Sequence, residues 1–264
     1  MRFTKMQGLG NDYLYVFGEA PENVAEICRR LSDRHFGAGS DGMIFISRSD
    51  AADFRMRIFN ADGSEAKMCG NGIRCVGKYV YDKGYTNKTR LTVDTLSGVK
   101  TLDLHLDGGK VATVTVDMGA AAVSAVSRLA LGDGEVEYTP VSVGNPHAVV
   151  FVDDADAAAL EVLGPQIEHH GAFPGGVTAE FVSAISPREL RMRVWERGSG
   201  VTMACGTGAC ASVAAAVAGG ICAYDEPVAV HLDGGTLTVS VSRDMKVTMT
   251  GSAEFVFEGE SDLC

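Results

Sequence analysis

Two cysteines in this chain stand in the same chemical setting. Cys69 and Cys205 each open a Cys-Gly-x-Gly segment where a loop turns into an apolar, helix-like stretch. The glycines at 70, 72, 206 and 208 permit tight backbone geometry and leave amide N–H groups exposed. A helix N-terminus carries roughly half a positive charge and several unpaired donors, so it attracts anions. The expectation is therefore a lowered thiol pKa, with thiolate accessible near neutral pH. The amides at Gly70-Asn71 and Gly206-Thr207 could in addition hold a carboxylate. A carbon held between two such cysteines can lose a proton to one face and regain one from the other. In this two-base stereoinversion one cysteine is thiolate base and the other thiol acid, with roles exchanged in the reverse direction. Helix dipoles and N–H donors would stabilise the charge that develops on the carboxylate. The scheme calls on neither a metal nor a pyridoxal lysine, so no cofactor is expected.

The elements that must position these cysteines occur twice. Residues 55–72 read RMRIFNADGSEAKMCGNG, and residues 191–208 read RMRVWERGSGVTMACGTG, a constant offset of 136. At the same offset Phe45-Ile46 matches Phe181-Val182, which sets Gly42 opposite Thr178. Gly10–Phe17 resembles Gly144–Phe151 at an offset of 134. A repeat this long means duplicated domains rather than a solenoid. The two cysteine sites should face one another across the cleft between those domains.

The hydrophobic pattern predicts strands within 2–17 around Gly8–Asp12, then a helix over 21–36 with Val24, Ile27 and Leu31 on one face. Strands follow at 43–47 and 53–59, a loop at 60–68, a helix from Ile73 to Tyr81 and three short strands over 90–118. Gly119–Ala122 marks the boundary. The second half repeats the plan, with strands near 136–152, helical material at 154–170 and strands at 179–195. The helix at 207–218 is so rich in Ala, Val and Ser over 209–218 that it must be buried on every side. Strands at 228–232, 236–242, 245–250 and 253–257 close the chain. The expected fold class is α+β: two homologous domains, residues 1–118 and 119–251, each a curved, mostly antiparallel sheet around a central helix.

Composition narrows the function classes. A formal net charge of −11 argues against nucleic acid, which needs a basic footprint. No apolar run approaches the roughly 18 residues of a membrane span. The stretch MRFTKMQGLG lacks the apolar core of a signal peptide, and seven cysteines, an odd number, do not suggest a secreted disulfide framework. The expected place is the cytoplasm, with reduced thiols. Cys28, Cys75, Cys210 and Cys222 read as small buried hydrophobes. A zinc site built from Cys69, Cys75, Cys205 and Cys210, and with it a zinc-stabilised binding protein, is the rival reading. Its ligand spacings depart from the usual knuckle.

MQGLGNDY, FNADGSEAKMCGNGIRC, GNPH and ERGSGVTMACGTGAC resemble the signature segments of the diaminopimelate epimerases nearly end to end. The resemblance implies a pyridoxal- and metal-independent isomerase interconverting LL- and meso-2,6-diaminopimelate in lysine and peptidoglycan synthesis. It implies a homodimer acting on a small amino-acid substrate, and a last strand, about 252–264, that returns to the N-terminal domain. Carried over, Cys69 and Cys205 are the acid/base pair. Gly70, Asn71, Gly206 and Thr207 are donors to the reacting carboxylate. Asn11, Asn60, Asn145, Glu196 and Arg197 hold the ammonium and carboxylate groups, and His147 and Glu196 tune the cysteine pKa values. Glu196-Arg197 replaces Asn60-Ala61 of the repeat, a difference an asymmetric substrate would need. Gly42 stands where many members carry glutamine. Thr178 stands where asparagine usually contacts the distal end of the substrate, and Thr is shorter with fewer donors. A racemase of the same fold acting on another amino acid, such as histidine, is the alternative.

Overall fold

A computed structural model describes residues 1–132 and 134–262. The chain forms two compact units, Met1–Asp117 with Gly251–Cys264, and Met118–Thr250. The first unit holds β1 (Arg2–Gly8), β2 (Asn11–Phe17), α1 (Val24–Ser32), β3 (Gly42–Ser47), β4 (Phe54–Asn60), β5 (Glu65–Ala66), α2 (Gly70–Asp82), β6 (Arg90–Thr95), β7 (Gly98–Asp107) and β8 (Lys110–Ala120). The second holds β9 (Ala122–Val123), β10 (Ser127–Leu131), β11 (Gly134–Ser142), β12 (Pro146–Phe151), α3 (Leu160–Glu168), β13 (Thr178–Ser186) and β14 (Glu189–Glu196). It continues with β15 (Gly200–Val201), α4 (Gly206–Ala218), β16 (Pro227–Leu232), β17 (Gly235–Val241) and β18 (Lys246–Ser252), after which β19 (Glu254–Glu260) joins the first unit.

Pairing in the first unit runs β19-β1-β2-β3-β4-β6-β7-β8, with β5 also on β4. In the second it runs β10-β11-β12-β13-β14-β16-β17-β18, with β15 on β14. The two orders match strand for strand. The place that β10 takes by simple chain succession is taken in the first unit by β19. Most pairs are antiparallel, and the parallel pairs fall at equivalent steps: β2–β3 with β12–β13, and β4–β6 with β14–β16. Register is duplicated too. Tyr15 opposes Ile44 in the first unit, and Val149 opposes Glu180 in the second, at the two offsets read from the repeat.

Each sheet packs on its apolar helix. α2 is buried from Gly70 to Val80 and lies against β1, β2 and β7. α4 is buried from Ala209 to Val217, with Ala218 exposed, and packs on β11, β12, β13, β14 and β17. The near-uniform burial explains why α4 carries no polar face. α1 covers β3 and β4 with Val24, Ile27, Cys28 and Leu31. It is shorter than the 21–36 expected. The chain leaves the helix at Asp33, whose carboxylate accepts from the amides of His35 and Phe36 at 2.7 Å each. Such a local turn competes with further helix. At 154–170, helix is confined to α3, because Asp154 turns the chain beforehand by accepting from Asp156 N at 2.9 Å. The expected loop at 60–68 contains β5, a short return strand on β4, and β15 repeats it on β14.

Candidate active site

Cys69 and Cys205 occupy the same position in their units: each is the N-cap of the central helix, in extended backbone geometry. Each sulfur accepts the amide N–H of the third residue on, Gly72 or Gly208, at 3.3 Å. This is the bond that a capping Ser or Asp oxygen makes, satisfied here by sulfur. At both third positions an added Cβ would crowd a neighbouring side chain. A Cβ on Gly72 would lie 2.7 Å from Ile44 Cδ1, and one on Gly208 would lie 2.8 Å from Glu180 Oε1.

Around Cys69 the neighbours are amides and a buried cation. Its thiol points at Asn11 Oδ1, 3.3 Å away. Asn11 is oriented from behind by Asp41, whose Oδ2 accepts Asn11 Nδ2 at 2.7 Å. Asn71 Nδ2 lies 3.5 Å from the same Asn11 oxygen, and Asn71 Oδ1 accepts from Arg74 Nη1 at 3.0 Å. Arg74 is fully buried and also donates to the carbonyls of Gly70 and Ser252. Asn60 turns its amide to the Ser64 hydroxyl, 3.1 Å away in the β4–β5 turn, rather than into this group.

Around Cys205 stand a hydroxyl, an amide and two carboxyl groups. Thr207 Oγ1 stands 3.5 Å from the sulfur, and Asn145 Nδ2 reaches that hydroxyl at 3.4 Å. Glu196 accepts a hydrogen bond from the Thr202 hydroxyl, and its charge acts on the Cys205 thiol. His147 Nδ1 lies 2.6 Å from Glu180 Oε1, with both side chains fully buried. Thr178, expected to face the distal end of the substrate, is buried and uses Oγ1 to accept the Arg197 amide at 3.2 Å. It thereby holds the loop that presents the exposed Arg197 side chain. Its counterpart Gly42 admits no side chain at all, because a Cβ there would sit 2.0 Å from the Phe59 carbonyl oxygen.

One expectation fails at Cys205. The helix N-terminus was to lower its pKa, but burial, then the charges of Glu196 and Glu180, push the thiol well above its usual value. The Gly208 amide and Thr207 act in the expected direction and are outweighed. Burial likewise pushes the carboxyls of Glu196 and Glu180 up. The surroundings of Cys205 thus favour its protonated form.

The zinc reading finds no support in the clustering of side chains. Among the described residues no three of His, Cys, Asp or Glu are grouped to hold a metal ion. Cys75 is buried beside Tyr15, and burial pushes its thiol up to about 11. Among the described residues no helix is long and apolar enough to cross a membrane. Three residues around the cysteines escaped the sequence reading: Asp41, Arg74 and Glu180. A signal for Glu180 was present, since it is a lone carboxylate in an apolar strand at the place where the repeat has Ile44.

The chain is similar to proteins of a known family. The profile of the diaminopimelate epimerase family matches residues 3–124 and 139–256. The chain is 50% identical to the diaminopimelate epimerase of Acetivibrio thermocellus over 279 aligned residues, covering 100% of this chain and 99% of that one. It is 48% identical to that of Methanococcus maripaludis strain S2, with both chains fully covered. A crystal structure of a probable proline racemase from Agrobacterium radiobacter superposes with a TM-score of 0.77 at 17% identity, covering 100% of this chain and 93% of the other. At that identity the likeness shows the fold.

Proposed function

The chain belongs to the diaminopimelate epimerase family, and from that premise we propose that it inverts one α-carbon of 2,6-diaminopimelate with Cys69 and Cys205 as paired base and acid. The observation that supports this most is the duplicated N-cap: two sulfurs, each held by the third amide of a central helix. One thiolate removes the α-proton, and the electron pair moves into the carboxylate as an enediolate. The other thiol returns a proton on the opposite face, leaving the pair with its charge exchanged. Amides at Gly70-Asn71 and Gly206-Thr207 stabilise the developing charge, as dipoles already oriented before reaction. Burial and the charges of Glu196 and Glu180 favour the protonated thiol at Cys205, which suits it to act first as donor.

The exposed Arg197 guanidinium suits a substrate carboxylate bidentately, and Glu196 and Asn145 suit an ammonium group. Thr178 acts on the distal end through the Arg197 loop it anchors. Near 50% identity across the whole chain favours diaminopimelate over a free amino acid such as histidine. The enzyme works in the cytoplasm on a lysine and peptidoglycan precursor and calls on no cofactor. We also propose a homodimer formed through β19, the outermost strand on its side of the first sheet. It exposes Phe255, Val256 and Phe257, an apolar strand edge of the kind that proteins normally cover.

The test is incubation with LL-diaminopimelate in heavy water. It should yield the meso isomer with deuterium at the inverted α-carbon, in competition with other amino acids and without added cofactor. No deuterium uptake would refute the reading.

A further inference from the structure

We propose that Glu180 is a positioning residue for the reaction, locking His147 so that Nε2 is the nitrogen offered to the reacting groups. The inference rests on the reading of His147 as part of the site. In the parallel pair β12–β13, His147 opposes Thr178 and Val149 opposes Glu180. Side chains two apart on a strand share a face, so His147 and Glu180 are diagonal neighbours on one face of the sheet. Their contact is Nδ1 to Oε1 at 2.6 Å, with neither side chain exposed to solvent. With Glu180 ionised its carboxylate only accepts, which puts the ring proton on Nδ1 and leaves the lone pair of the neutral ring on Nε2. Nε2 itself is buried and has no hydrogen-bond partner among the described residues.

Packing alone does not require this glutamate. Ile44 holds the equivalent place in the first unit, and its Cδ1 would meet a Cβ on Gly72 at 2.7 Å. Glu180 Oε1 would meet a Cβ on Gly208 at 2.8 Å. An aliphatic side chain thus fills the same space beneath the first helical turn. What glutamate adds is the bond to His147. Second-layer carboxylates that orient a histidine are a recurring device at metal and acid–base sites, and losing one typically costs about 10- to 100-fold.

The test begins with nitrogen-15 NMR of histidine-labelled intact enzyme, with the His147 resonances assigned by difference against His147→Gln. The expected result is a proton on Nδ1. In Glu180→Ile the partner is removed, and in Glu180→Gln an amide that both donates and accepts no longer dictates the tautomer. In both, kcat should fall about 10- to 100-fold with KM held within about twofold. Glu180→Asp should restore the Nδ1–H tautomer and part of kcat, which a purely structural role would not produce. A wild-type His147 protonated on Nε2 would overturn the proposal, as would Glu180→Ile with wild-type kcat. Should the variants fail to fold, the wild-type tautomer decides alone. Failure of the stereoinversion reading would appear separately, as absent deuterium uptake by the wild-type enzyme.

Discussion

The two units share one skeleton and differ around their cysteines. Both place sulfur at the N-cap, both bond it to the third helical amide, and both align their parallel strands in one register. Yet Cys69 sits among Asn11, Asn71 and the Arg74 that braces Asn71, while Cys205 sits beside Glu196 and Glu180, the latter bonded to His147. Where β3 carries Ile44, β13 carries Glu180, and where β4 ends in Asn60, β14 ends in Glu196. Duplication thus supplied two equivalently capped sulfurs, and divergence beside them placed carboxyl groups that push the thiol up next to Cys205.

The largest expected effect tests the shared part. Cys69→Ala and Cys205→Ala should each lower kcat by about 10³-fold or more, at the upper end for removal of a general acid or base. Circular dichroism should remain that of the parent, since loss of a cap costs only about 1 kcal/mol. If either variant kept most of its turnover, the equivalence of the two sulfurs would be lost.

A second pair of variants separates the halves. Gly72→Ala places its methyl against the ends of flexible side chains, Ile44 Cδ1 at 2.7 Å and Met56 Cε at 3.3 Å. Gly208→Ala places it against a carboxylate oxygen at 2.8 Å and the Cys205 sulfur at 3.2 Å. Both should cost about 1–3 kcal/mol in thermal melts, the usual range for overpacking. Gly208→Ala should lose about tenfold more kcat/KM, because only there does the added atom displace groups that set a proton. Equal losses would mean that the surroundings of Cys205 are no more sensitive than those of Cys69.

The inequality itself is read by alkylation. Glu196→Gln removes a charge that holds the Cys205 thiol up, so the iodoacetamide rate profile of Cys205 should move to lower pH. At pH 8 its rate should rise several-fold, while that of Cys69 stays put. A Cys205 profile that did not move would mean that burial alone keeps the proton on.

Much of the skeleton was legible because it depends on local pattern. The run rich in Ala, Val and Ser over 209–218 announced a helix buried all round, which holds as far as Val217, and the Cys-Gly-x-Gly segments announced where the helices begin. What stayed hidden depends on residues distant in sequence. The sign of the Cys205 shift is set by burial and by carboxylates from β13 and β14 that a helix-terminus argument does not see. Asp41 acts on Asn11 across a gap of 30 residues. The early end of α1 follows from a side-chain turn at Asp33 that competes with an otherwise regular helical pattern.

The smallest expected effect distinguishes the units by how pH loosens them. Asp12, beside Asn11 in the first unit, is raised by burial but held below the usual carboxylate range by hydrogen bonds from Arg34 and Lys5, which outweigh it. The folded state there favours the ionised form. Its contribution is present above the unfolded carboxylate value of about 3.9 and is lost as pH falls through the lower folded value. Cys205 runs the other way. Its folded state favours the protonated thiol, so that contribution is intact below the unfolded thiol value of about 8.5 and is lost as pH rises beyond it. Hydrogen exchange, corrected for intrinsic rates, should therefore show the β1–β2 amides opening first below about pH 4. The first-turn amides of α4, Gly208 and Ala209, should open first above about pH 8.5. If both segments responded alike to acid and to alkali, the electrostatic contrast between the two cysteine surroundings would not be the one described.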